Sequence, residues 1–130
     1  MNLKKAFLIF AFTSVSIIAL LYGVAPPWFA RTFLGVDELS VNLAHILRAI
    51  MCLYLAIGLF WLYSAFSDRL RDTAILTTMV FAGGLVAGRV LSLILDGQPA
   101  PLLIFYTAVE FVIIPVAWWV YTRPDNSSSR

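Results

Sequence analysis

Charge is scarce in this chain: only 12% of its residues are Asp, Glu, Lys or Arg, about half of what a soluble domain carries. With a net charge of +2 and no basic run interleaved with aromatics, there is no footprint for nucleic acid. One cysteine, Cys52, excludes an internal disulfide, and its apolar neighbourhood marks it as a lipid-buried structural thiol. One histidine, His45, excludes bis-histidine haem ligation and a histidine-rich metal centre within one chain. No HExxH, CxxC, GxSxG or phosphate-cradling glycine loop occurs, so no cofactor is expected. His45 with Glu110 would make an acid–base pair, but no nucleophile is marked and the residues give no support to an enzyme.

What the chain has instead is apolar length: 62% of its 130 residues are hydrophobic. Crossing a hydrocarbon core of about 30 Å takes roughly 20 apolar residues in a helix. Four segments qualify, at about 5–25, 42–66, 72–95 and 101–122. Lipid offers backbone groups no partners, so full-length spans must be helical. The expectation is an all-α fold, a transmembrane four-helix up-and-down bundle forming one domain over 1–123, with 124–130 a disordered tail. The apolar run after Lys5 is longer than a signal-peptide core and meets Pro26 and Pro27, so it reads as a retained first span. Pro26 and Pro27 end span one; Ser67, Asp68, Arg69 and Arg71 form a polar turn; Asp96, Gly97, Gln98 and Pro99 close span three.

Orientation follows from lysine and arginine. Lys4, Lys5, Arg69, Arg71, Arg123 and Arg130 fall on one side of an even-numbered topology, whereas Arg31, Asp37, Glu38 and Asp96 fall on the other. Both termini are therefore expected in the cytoplasm. Trp61, Tyr63, Trp118, Trp119 and Tyr121 are placed at the inner interface and Trp28 at the outer one. The connector from Pro26 to Ser40 contains Trp28, Phe29, Phe33, Leu34 and Val36, and is expected to lie along the outer interface; the alternative is a lid over a site.

Arg48, Arg89 and Glu110 do not fit this frame. A charge inside a membrane is costly unless paired or hydrated, and marks a functional hypothesis by default. At about 1.5 Å per residue, Arg48 lies roughly 9 Å beyond Asn42, Arg89 about 10 Å before Asp96, and Glu110 roughly 13 Å beyond Pro101. Three spans thus bring charge to one layer of the outer leaflet. Asn42, His45 and Arg48 share a face of span two, and Ser92 and Asp96 share one with Arg89. Tyr106 lies one turn before Glu110. Two arginines against one glutamate leave a net positive charge, which invites an anion. In the structural alternative, Arg48 snorkels to headgroups and Arg89 pairs with Glu110, locking the bundle. Gly84 with Gly88, and Gly83 with Ala87, form small-xxx-small patterns expected to let helices approach closely. Pro115 is expected to bend span four below Glu110.

Two strings carry a resemblance. Asn42, His45, Arg48, Ala49, Leu53, Tyr54 and Leu55 form the first; Gly88, Arg89, Ser92, Asp96, Gly97 and Pro99, followed by Glu110, form the second. Together they resemble a family of small bacterial four-helix membrane proteins catalogued only as a domain of unknown function, and the layout is similar to DoxX-like proteins. Cys52 stands where the family resemblance implies glycine. The resemblance implies a bacterial inner-membrane location and His45, Arg48, Arg89, Asp96 and Glu110 as signature positions; it implies no activity or cofactor. The combined expectation is a polar pocket in which Arg48 and Arg89 hold a small anionic or lipid-like ligand. Glu110 would orient Arg89, and His45, Tyr106, Ser92, Asp96 and Asn42 would complete the site. Docking on a larger membrane complex, self-association and proton-coupled transport through Glu110 are the alternatives.

Overall fold

The computed structural model describes residues 2–123, so the expected tail at 124–130 lies outside the described residues. Helix α1 spans Leu3–Gly23, a single turn α2 spans Pro26–Phe29 and runs into a π-helical turn at Ala30–Leu34, and α3 spans Val41–Ala65. Helices α4, Arg71–Leu95, and α5, Pro101–Thr122, complete the chain. Except for α2 and the π turn, each is long and apolar enough to cross a membrane. The element ends follow local chemistry. The Asn2 side chain accepts from Lys4 N and the Ser40 hydroxyl from Leu43 N, satisfying orphan donors at two helix starts. Pro26 and Pro101 occupy first-turn positions, where no backbone donor is needed. Gly97 turns the chain after α4 at a φ of 100°, a value other residues rarely adopt. Helix α5 continues through Pro115.

The four long helices pack as two pairs: α1 lies closely along α3, and α4 along α5, with fewer contacts between pairs. The first seam is made by glycines that only a close look at helical phase reveals. A Cβ on Gly23 would stand 2.5 Å from Met51 Cβ, and one on Gly58 would stand 2.8 Å from Val15 Cγ1. The inward stripe of α3 is Leu47, Ile50, Tyr54, Gly58 and Trp61, spaced by three and four residues.

The bundle end that holds the termini is tightly tied. Lys4 is buried and its Nζ lies 2.6 Å from Asp72 Oδ1, joining α1 to the start of α4. Arg71, also buried, donates from Nε and Nη2 to the Ala65 carbonyl and from Nη1 to Asp68, closing the α3–α4 turn. Trp61 packs into this end of the bundle. It is buried and donates from Nε1 to Thr77 Oγ1 at 2.9 Å, because it falls on the stripe through Tyr54. Tyr63, Trp118 and Trp119 are exposed, as interfacial residues would be.

The opposite end is looser. The buried residues of α4 are Arg71, Ala74, Ile75, Thr78 and Ala82, all in its first half. Beyond Ala82 come Gly83, Gly84, Ala87 and Gly88, which lack the bulk to reach another helix. A Cβ added at Gly83, Gly84 or Gly88 would meet no atom within 4 Å. Contrary to the expectation from their spacing, these glycines do not bring helices of this chain together; they leave a gap between the pairs. The connector closes over that gap. Phe29 and Ala30 are 0% exposed, and the Phe29 ring meets Tyr22 edge-on at 4.9 Å, while Trp28 points outward. Phe29 and Leu34 thus turn toward the gap, while Trp28, Arg31 and Thr32 stay exposed on the other side of the connector.

Candidate functional site

The gap is a cavity of about 410 Å³ lined from α1, the connector, α3, α4 and α5. That is within the range of small-molecule pockets, roughly 300–1,000 Å³. Phe29, Leu34, Leu47, Ile50, Leu85 and Leu103 give it apolar walls, and Gly84 and Gly88 form a side chain-free flank. Its polar groups are few: Tyr22, Tyr54, Arg89, Ser92 and Thr107. A second cavity, of about 100 Å³, lies toward the terminal end and is lined by Ser14, Trp61, Thr78, Phe81 and Glu110 among others. Arg89, Tyr54 and Leu85 line both, so the arginine sits at their junction.

Arg89 and Glu110 form a side-on pair. Nε donates to Oε1 at 2.7 Å and Nη2 to Oε2 at 3.4 Å, with side-chain exposures of 19% and 14%. The short connection from Asp96 to Ala100 makes α4 and α5 an antiparallel hairpin, which brings the two residues to one level. Three tyrosines surround them. Tyr22 lines the larger cavity with Arg89, the Tyr106 ring centroid is 5.8 Å from Arg89 Cζ, and the Tyr22 ring lies 6.0 Å from Tyr54 and 6.2 Å from Tyr106. An aromatic shell of this kind stabilises a cation through ring quadrupoles without adding charge.

Of the residues singled out in the sequence, the structure brings together Arg89, Glu110 and Tyr106, with Ser92 on the cavity wall. Asp96 accepts from Ser92 Oγ at 2.8 Å, at the exposed mouth. Asn42, His45 and Arg48 are not brought into the group. All are exposed, none lines the cavity, and Arg48 forms no ion pair or hydrogen bond with the described residues. The reason is helical phase: at about 100° per residue, His45 lies roughly opposite Tyr54, and Asn42 and Arg48 lie about 120° to either side of it. They do share a face of α3, but it is the outward one. Cys52 is exposed on the same helix, on the outside of the bundle.

Tyr106 is buried, yet its hydroxyl has no hydrogen-bond partner, and the residue does not line the larger cavity. Its contribution is the ring. Tyr106→Phe is therefore expected to leave stability unchanged or slightly raised in unfolding titrations, because an orphaned buried hydroxyl is lost without breaking a bond. A loss above about 1 kcal/mol would mean the hydroxyl has a partner. Tyr22 and Tyr54 are the site residues that sequence reading overlooked. The available signal was the seven-residue spacing of Leu47, Tyr54 and Trp61, which marks the inward face of α3 by bulk and not by polarity.

A bundle of four membrane-length helices, cavity-bearing at one end and crossed by a partly buried arginine–glutamate pair, defines a small multi-pass membrane protein. Residues 3–121 match the family model described as the domain of unknown function DUF4345, and the chain belongs to that family. No curated protein and no solved structure matches it.

Proposed function

We propose that this protein binds a lipid-like amphiphile in the larger cavity, between the α1–α3 pair and the α4–α5 hairpin. The polar end of the ligand meets Arg89 and Tyr22, and its apolar part lies among Phe29, Leu47 and Leu103. The observation that carries this reading is a cavity of about 410 Å³ whose walls are mostly apolar and whose floor holds a partly buried arginine. Apolar walls with a few convergent polar groups are the usual form of a ligand site. The bias of lysine and arginine toward the terminal end supports an orientation with both termini in the cytoplasm of a bacterial inner membrane. The cavity then lies in the outer leaflet, open to membrane-dissolved molecules.

Gly88 offers a direct test, since a side chain there enters the cavity without meeting the fold. Native mass spectrometry of the gently solubilised wild-type protein is expected to show an added mass in the lipid range. Gly88→Leu is expected to reduce that bound fraction at least tenfold while leaving the helical signal unchanged. Bound mass that persists undiminished in Gly88→Leu would place the ligand elsewhere, and wild-type protein without added mass would favour an ion pair that only locks the bundle.

A further inference from the structure

The charge of the site points to the chemistry of its occupant. An anion was the natural expectation while Arg48 and Arg89 were counted against Glu110 alone. With Arg48 on an exposed face, the one charge lining the cavity floor is Arg89, which stands beside Tyr22 from α1 and Tyr54 from α3 and is paired behind the floor with Glu110, a wall of the smaller cavity. Neither tyrosine carries charge near neutrality. The floor together with Glu110 is therefore electroneutral.

We propose that the cavity selects by charge, accepting an amphiphile with an uncharged, hydrogen-bond-accepting head group, such as an ester or ketone, and excluding the corresponding anion. This rests on the cavity reading above and specifies its ligand class. A carboxylate or phosphate entering the cavity meets an arginine already matched to a carboxylate. Attraction to Arg89 is offset by repulsion from Glu110, and the anion's desolvation is left uncompensated. A neutral acceptor pays no such penalty. A guanidinium has five N–H donors, and the two contacts with Glu110 leave three. The groups lining the floor, Arg89, Tyr22 and Tyr54, are all donors, which suits a carbonyl oxygen. Glu110 thus acts as a selectivity residue: it fixes the arginine and cancels its charge.

The probes are methyl decanoate and decanoate, titrated at pH 9 into the full-length protein in neutral detergent, with bound fraction read by native mass spectrometry. Wild-type protein is expected to bind the ester at least tenfold more tightly than the carboxylate. In Glu110→Gln, which keeps shape and removes the countercharge, the ratio is expected to move at least tenfold toward decanoate. Equal or tighter decanoate binding by the wild type overturns the proposal, and that comparison needs no variant to fold. A ratio unchanged in folded Glu110→Gln overturns the role of Glu110. If neither probe gives binding that Gly88→Leu removes, the cavity reading itself fails, a result distinct from ester and carboxylate binding alike.

Discussion

Glu110→Leu is expected to destabilise the bundle by up to about 3 kcal/mol, the lower end of the cost of breaking a buried ion pair, because this pair is partly exposed. Arg89→Met should cost less, because the two residues differ chemically. A carboxyl stranded in an apolar setting can take up a proton and shed its charge; a guanidinium cannot. The double variant Arg89→Met with Glu110→Leu should recover most of the loss, since apolar side chains of similar volume often replace a buried pair at little net cost. Unfolding titrations of the four proteins form a complete cycle. A double variant as unstable as Glu110→Leu would mean that each side chain has an essential partner other than the other. The cycle also separates two roles: recovered stability with lost ligand binding identifies a pair retained for its site and not for the fold.

The glycines should divide sharply in behaviour. Gly58→Ala and Gly23→Ala place a Cβ 2.8 Å from a Val15 methyl and 2.5 Å from Met51 Cβ, so the α1–α3 seam must open. Overpacking of this kind costs about 1–3 kcal/mol. Gly83→Ala, Gly84→Ala and Gly88→Ala meet nothing, and replacing glycine with alanine inside a helix gains roughly 0.5–1 kcal/mol. Thermal unfolding of these variants in one detergent measures both groups on one scale. Destabilisation by Gly84→Ala or Gly88→Ala would mean that the open flank of α4 is packed against something in the membrane.

The spans and the Arg89–Glu110 level were legible in the sequence for physical reasons. Apolar length and punctuation by proline and glycine place α3 at Val41–Ala65 and α5 at Pro101–Thr122, within a residue of the expected limits; α1 begins two residues earlier than expected, at Leu3. The short α4–α5 connection lets depth be counted along both helices of a hairpin. Rotation was not legible in the same way. In a membrane helix both faces are apolar, so polar residues do not mark the inward side as they mark the outward side in water. Asn42, His45 and Arg48 were grouped correctly on one face and turned the wrong way. Gly58, Tyr54 and Trp61 carried the phase, as small or bulky residues that helix packing requires. The glycine spacing on α4 misled for a related reason: Gly84 and Gly88 suit close approach, but the pattern does not say whether a helix is there.

Photolabelling tests the central claim most directly. A methyl ester carrying a diazirine in its alkyl chain, irradiated with the wild-type protein in lipid nanodiscs, reports by peptide mass spectrometry where the chain lies. The cavity account predicts label on Leu47, Leu103 and Thr107, competed by excess methyl decanoate and absent from Gly88→Leu. Label confined to lipid-facing positions such as Leu53, Phe105 and Phe111, insensitive to competitor, would contradict it.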